Sequence, residues 1–388
     1  MRSFKKFFRV ILAGVLSILT LQGAEAESLL KAPPAVFAVE ECYQILVTVR
    51  SPALVRVRVG EKFYSGHING VRPSSRSVHR FVLPMSELDQ AGRYTVYCRP
   101  LPERLPYMQY LKPHEEKAQT YDFRKLPEEN IRIYHAADTH NRIDQVVQNA
   151  LSSGAFDLLV LNGDLIETSG RTDVLETPAV LAGKMTKGAV PVIYARGNHE
   201  LRGPFAEELP RYVPNRDGKL YYGVKLGSLW CMVLDGGEDK ADSHIVYCNT
   251  IDCTAYRLDQ LAFIRKRAEK KDYCAPSVKY RLLICHIPFP RYVGKSAADE
   301  GKRLFTVYGE WGKHLKNLYV PQLLLSGHVH FFGIEKKPEF PCPVVMGARL
   351  DKKANQFAGS RITLNKGAAH IEFLDHTGKT IKEESVTF

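Results

Sequence analysis

Five short apolar runs in this chain each lead into residues that can bind a metal ion. Ile131 to Ala137 leads into Asp138-Thr139-His140, and Phe156 to Asn162 into Gly163-Asp164. Ala189 to Tyr194 precedes Gly197-Asn198-His199-Glu200, and Lys279 to Cys285 ends at His286. Pro321 to Ser326 opens into Gly327-His328-Val329-His330. Bounded apolar runs of this length read as buried strands. Between them lie stretches with a helical period. One apolar face joins Ile143, Val146, Val147, Ala150 and Leu151; a second joins Leu258, Leu261, Ala262, Arg265 and Ala268; a third joins Leu304, Val307, Trp311, Leu315 and Leu318. Thr177 before Pro178 predicts a capped helix start. Strand–helix alternation predicts an α/β domain that binds its ligand at the carboxyl ends of the strands.

Singly, an Asp after a strand closes a turn, and a lone His is an ordinary polar residue. Five such groups at five strand ends are better explained by a shared site. On extended backbone, residues two apart point the same way, so His328 and His330 are expected to offer two imidazoles to one site. Gly327 allows a sharp exit from the strand. Neutral imidazole suits Zn, Fe, Ni or Cu.

The order D-x-H, G-D, G-N-H-E, H, G-H-x-H resembles the calcineurin-like metallophosphoesterase superfamily from about Ile131 to the C-terminus. The resemblance implies an αββα sandwich and two divalent metal ions (Mn, Fe, Zn or Ni) joined by a carboxylate. It implies that Asp138, His140 and His330 hold the first ion, that Asn198, His286 and His328 hold the second, and that Asp164 bridges them. His199 would stabilise the transition state or protonate the leaving oxygen. Glu167 resembles the position whose carboxylate orients that histidine. The implied activity is hydrolysis of a small phosphate ester by hydroxide made available on the metal pair, with monoesters slightly ahead. The alternatives are a phosphodiesterase acting on nucleotides or lipid headgroups, and a non-catalytic metal-containing binding or adhesion protein. Asp235-Gly236-Gly237-Glu238 closes a strand and reads as a turn near the site. Arg202, Arg291 and His244 are candidate phosphate contacts. His135 and Trp311 read as core residues.

The rest of the chain sets the context. Residues 1–26 read as a secretory signal peptide: Arg2, Lys5, Lys6 and Arg9, then an apolar run from Val10 to Leu21, then Ala24-Glu25-Ala26. This predicts export to a periplasm or beyond the cell, with no transmembrane segment once the leader is removed. Cleavage would take three charges from the net +12. The remaining basic surplus favours anionic partners. No basic run interleaved with aromatics points to nucleic acid. Residues 27–125 read as a fibronectin type III-like β-sandwich. Val55-Arg56-Val57-Arg58-Val59 alternates strictly, and Leu88, Gly92 and Tyr94 have the spacing of a tyrosine corner. Lys112 to Asn130 reads as a linker, and residues 126–388 as the metallophosphoesterase domain. His67, His79 and His114 read as surface residues. Cys42 with Cys98, and Cys248 with Cys253, are plausible disulfides in an exported protein, while Cys231 and Cys285 read as buried thiols. The sequence does not fix the oligomeric state.

A leader followed by a β-sandwich and G-N-H-E also resembles the purple acid phosphatases. Two positions depart from that pattern. His140 stands where those enzymes have Gly, and Glu167 stands where they have a Tyr iron ligand. The iron-loaded protein is therefore expected to lack a tyrosinate charge-transfer band. An absorption band in the middle of the visible spectrum would contradict this.

Overall fold

The computed structural model describes residues 29–108, 115–293 and 299–388. The expected leader and His114 lie outside them. Two sheets face each other. The larger has nine strands in the order Thr380–Thr387, Ala368–Leu374, Ser360–Asn365, Ile131–Ala136, Leu158–Asn162, Pro191–Ala195, Ala35–Val39, Cys42–Thr48 and Val78–Pro84. The smaller has six, in the order Tyr222–Leu226, Leu229–Val233, Tyr280–Ile284, Leu323–Ser326, Val344–Met346 and Gly333–Glu335. Pairing is parallel through the middle of each sheet.

The apolar runs look continuous because both faces of these strands are buried. Ile131 and Ile133 face the smaller sheet's core, while Tyr134 and Ala136 face the opposite way. Leu158 and Val160 alternate with Leu159 and Leu161 in the same manner. Helices Ile143–Ser152 and Thr177–Thr186 cover the outside of the larger sheet with Val146, Ala150 and Leu181. Helices Cys253–Lys270 and Asp299–His314 cover the smaller sheet with Leu261, Ile264 and Trp311. The expected αββα layering is present.

The N-terminal region is β-rich, as expected, but one of its sheets is shared. Ala35–Val39 pairs in parallel with Pro191–Ala195, so Ala35–Val39, Cys42–Thr48 and Val78–Pro84 extend the larger sheet. Lys62–Tyr64, Ala53–Val59, Arg93–Pro100 and Lys117–Asp122 form a separate four-stranded layer. Val55, Val57, Tyr94 and Val96 of that layer join the same core as Ile193 and Ile284. Sequence patterning reports burial, not the partner strand, so this continuity had no sequence signal.

Several local expectations change. Lys117–Asp122 lies within the expected linker but pairs with Arg93–Pro100 as a strand. Tyr94 does not close a local corner: its hydroxyl donates to the Gly188 carbonyl at 3.2 Å, tying the four-stranded layer to the loop before Pro191–Ala195. Thr177 is the first helical residue, not a side-chain cap. Asp252 caps the next long helix, accepting from Ala255 N–H at 3.3 Å. All eight cysteines are free thiols, so neither expected disulfide forms. Among the described residues, no helix is long and apolar enough to cross a membrane.

His67 is exposed, but His79 is buried, which corrects the surface reading. It pairs with Val47 inside the sheet, and its Nε2 has no hydrogen-bond partner. Burial, reinforced by the charge of Arg76, pushes its imidazole down to about 4. In the unfolded chain the same group titrates near 6.5. Between these values the unfolded chain binds the extra proton. Stability therefore falls as pH drops from 6.5 towards 4, by up to about 3 kcal/mol from this residue. His79→Leu should narrow the difference between urea midpoints measured near neutral pH and near pH 5; an unchanged difference would remove His79 from the acid response.

Candidate metal centre

The loops after the central strands of both sheets meet at one end of the sandwich. Backbone bonds lace them together: Asp138 N–H donates to Gly163 O at 2.9 Å, His140 N–H to Asp164 O at 3.0 Å, and Gly327 N–H to His286 O at 2.9 Å. Small residues permit this approach. A Cβ on Gly163, whose φ is +77°, would sit 2.6 Å from Gly197 Cα and from His286 Cγ. One on Gly327 would sit 2.5 Å from Ala137 Cβ.

The seven residues expected to bind metal come together here. Three groups converge: Asp138 with His140 and His330; Asp164 with His286 and His328; and Asp164 with His140 and His199. In the first, His330 Nε2 lies 3.3 Å from Asp138 Oδ1 and 3.3 Å from His140 Nε2. In the second, His286 Nε2 lies 3.1 Å from Asp164 Oδ2 and 3.8 Å from Asp138 Oδ1. Asn198 Oδ1 is 3.0 Å from His328 Nδ1. Asp164 lies between the two sets.

His328 and His330 serve different ends of the cluster, and not by strand alternation. The strand stops at Ser326, and both histidines are left-handed, with φ of 70° and 54°. Asp138, His140 and Asp164 are left-handed too, at 55°, 43° and 51°. Each non-glycine residue held this way costs on the order of 1 kcal/mol or more. Five such residues at one site form a strained cradle.

The ring orientations fit a cation. His286 donates Nδ1–H to Asn162 O at 2.6 Å, which turns Nε2 inward, where it has no hydrogen-bond partner. Asp239 Oδ2 lies 3.2 Å from His328 Nε2 and so leaves Nδ1 to face inward. Glu167 Oε2 lies 3.0 Å from His140 Nδ1, near enough to attract it but not aligned as a hydrogen bond. Outer acceptors of this kind fix the tautomer a metal needs. The charges agree. Burial opposes the His286 cation, but Asp164 and then Asp138 more than offset it and push its pKa up to about 10. Burial also opposes ionisation of Asp164, yet His286 and His199 hold that carboxyl below its usual range. Two buried carboxylates here demand positive charge, and the inward nitrogens are donors of the type that holds a transition metal.

His199 sits beside the cluster, its Nε2 3.9 Å from Asp164 Oδ2. Glu167 does hold this ring, but through its backbone: His199 Nδ1 bonds Glu167 O at 2.7 Å. The Glu167 carboxylate faces His140 and Lys352 instead, which corrects the expectation that it orients His199. Arg202 Nη1 is 2.8 Å from His199 Nε2. Glu238 grips Arg202 Nε at 2.8 Å and also accepts from Asn198 Nδ2 at 3.3 Å. The Asp235–Glu238 turn thus belongs to the site. Arg291 pairs with Glu335, and among the described residues no direct contact links His244 to the cluster. His135 is buried and bonds Asn162 Nδ2 at 3.0 Å. Trp311 is core.

A sequence model of the calcineurin-like phosphoesterases matches residues 131–332, more than half of the chain. The chain belongs to the calcineurin-like phosphoesterase family. As a member, it is a metal-dependent hydrolase of phosphate ester bonds. Among solved structures it is similar to a purple acid phosphatase from yellow lupin (Lupinus luteus), with a TM-score of 0.57 and 13% identity over 92% of this chain and 74% of that one. It is also similar to a dimetal phosphatase from Danio rerio, with a TM-score of 0.45 and 12% identity over 67% of this chain and 99% of that one. No curated protein sequence matches it.

Two supports of this phosphoesterase site were not read from the sequence. Asp239 had no signal beyond its place after Glu238. Burial opposes its charge, but hydrogen bonds from His328 and Lys240 hold its carboxyl below the usual range. Glu200 was visible only as the last letter of G-N-H-E. It is fully buried and accepts from three backbone N–H groups: Leu165 at 2.7 Å, Asp164 at 3.0 Å and Gly197 at 3.0 Å. It therefore binds two of the ligand-bearing loops together. Glu200→Gln replaces one acceptor with a donor and should cost about 1–3 kcal/mol. The expected result is a lower melting temperature together with weaker metal retention. A variant with wild-type melting and metal content would show that the loops hold without it.

Proposed function

We propose that this protein is an exported phosphoesterase that uses two divalent ions and prefers phosphate monoesters. Asp138, His140 and His330 would hold one ion, Asn198, His286 and His328 the other, with Asp164 shared. When bound, the ions supply Lewis-acid charge to the phosphoryl group and acidify water.

The observation that carries the catalytic reading is His199. Its Nδ1 is fixed by the Glu167 carbonyl, and its Nε2 is directed to the edge of the cluster beside Arg202. A ring placed this way is suited to hold a proton at the oxygen of the departing alcohol. In the reaction, water's oxygen forms the new bond to phosphorus, the ester P–O bond breaks, and the alcohol leaves carrying a proton. Arg202 is partly exposed, its Nε is anchored by Glu238 and its Nη1 lies 2.8 Å from His199 Nε2, so its fork stands at the edge of the cluster, where a phosphoryl oxygen would meet it. A monoester dianion offers that fork one more charged oxygen than a diester does, which is why monoesters are favoured.

The test compares p-nitrophenyl phosphate with bis-p-nitrophenyl phosphate on protein stripped of metal and reloaded with Mn, Fe, Zn or Ni. Stripped protein should be inactive, and the reloaded protein should favour the monoester. His199→Ala should lower kcat by about 10²–10⁴ with metal content unchanged. Faster diester turnover would move the assignment to phosphodiesterase. Full activity in His199→Ala would end the proposed role of that ring.

A further inference from the structure

The rim of this site carries exposed apolar side chains. The Tyr247 hydroxyl reaches Arg202 Nη2 at 3.5 Å. Tyr247 belongs to a tight turn spanning residues 242–249, shortly before the Cys253–Lys270 helix. The turn is anchored. The Asp242 carboxylate accepts from the N–H groups of Cys253 and Thr254 at 3.0 Å each, and His244 O accepts from Tyr247 and Cys248 N–H at 2.7 and 3.0 Å. Its inner side presents Tyr247 to Arg202. Its outer side presents two adjacent large apolar residues, Ile245 at 84% exposure and Val246 at 66%. On a second loop, Phe331 directly follows His330 and is 39% exposed, with the Arg291 guanidinium 5.4 Å from its ring.

Single exposed apolar residues are ordinary. Here, however, the exposed residues sit on an anchored turn, which Tyr247 joins to the Arg202 guanidinium, and on the loop that carries a metal-ligand candidate. Cations stand beside them, each with a carboxylate partner: Arg291 with Glu335, Arg202 with Glu238 and Lys240 with Asp239. A floor of paired charges around the metal-ligand candidates, with an apolar rim, complements a ligand that carries a phosphate at one end and hydrocarbon at the other. The same rim complements a lipid surface, where apolar tips enter the acyl boundary and polar groups meet the headgroups.

We propose that the substrate is an amphiphilic phosphate monoester, a lipid phosphate presented at a membrane or micelle surface. Ile245 and Val246 dip among the acyl chains while the phosphate reaches Arg202 and the metal cluster. The proposal rests on the phosphoesterase reading above. Water adds to phosphorus, the ester P–O bond breaks, the lipid alcohol stays in the surface, and orthophosphate leaves into water.

The experiment uses metal-loaded, full-length protein. Its substrates are soluble p-nitrophenyl phosphate and phosphatidic acid in phosphatidylcholine vesicles, and co-sedimentation with the vesicles is a second readout. Wild type should have a higher kcat/KM on the vesicle substrate. The double variant Ile245→Ser/Val246→Ser should lose at least about tenfold on vesicles and sediment less, with its soluble rate unchanged, because two inserted apolar side chains are gone. Soluble turnover with no vesicle preference, or a double variant that matches wild type on vesicles, overturns the lipid proposal alone. The second of these results would fit a rim that docks a protein instead. No turnover of either substrate with any metal overturns the phosphoesterase reading and this proposal with it.

Discussion

Asp138 and Asp164 lie buried within a shell of imidazoles, and the inward Nε2 of His286 has no hydrogen-bond partner there. Two carboxylates in such a place are tolerable only beside positive charge, because buried charge without a partner is expensive. The surrounding architecture supplies and confines that charge. The parallel strands at the middle of the two sheets bring their carboxyl ends to the same edge, and the loops that follow them deliver the polar residues there. Outside the ring of donors a second ring acts on the first. The Asn162 carbonyl and the Asp239 carboxylate fix imidazole orientations, while Glu200 gathers backbone N–H groups.

The loops reach this arrangement by accepting strain. Five of the candidate ligands are non-glycine residues in left-handed backbone, and the glycines between them remove the side chains that would otherwise hold the loops apart. The layered cores above and below carry that strain. This follows the general pattern in which local conformational cost concentrates where chemistry is done.

Much of the site was legible because its signals are local. A strand ending in Asp-x-His, Gly-Asp or Gly-His-x-His writes its metal chemistry within a few residues, and the strand and helix periods write the layering. The features that escaped depend on distant contacts. Glu167 lies where a single carboxylate was expected to face His199, yet its backbone carbonyl does so, because the chain direction after Asp164 sends the side chain to His140 and Lys352. Tyr94 has the right spacing for a local corner but finds a better-placed acceptor in Gly188, 94 residues away. His79 carried no sign of burial, since a single polar residue in a strand does not report what the opposite layer does. Lys117–Asp122 was hidden by its charges, which suit an edge strand as well as a linker.

The shared nine-stranded sheet imposes an order of events on the newborn chain. Ala35–Val39 leaves the ribosome well before its neighbour on one side, Pro191–Ala195, which is made some 150 residues later. Until then that edge of the early strands stands open, with apolar faces and unpaired backbone groups, and closing so long a loop is slow. The metal-site loops that follow Pro191–Ala195 sit on the far end of the same strand. Sealing the N-terminal edge and setting Asn198 in place are therefore steps of one assembly. The strands made before Pro191–Ala195 keep that edge open for as long as it takes to arrive.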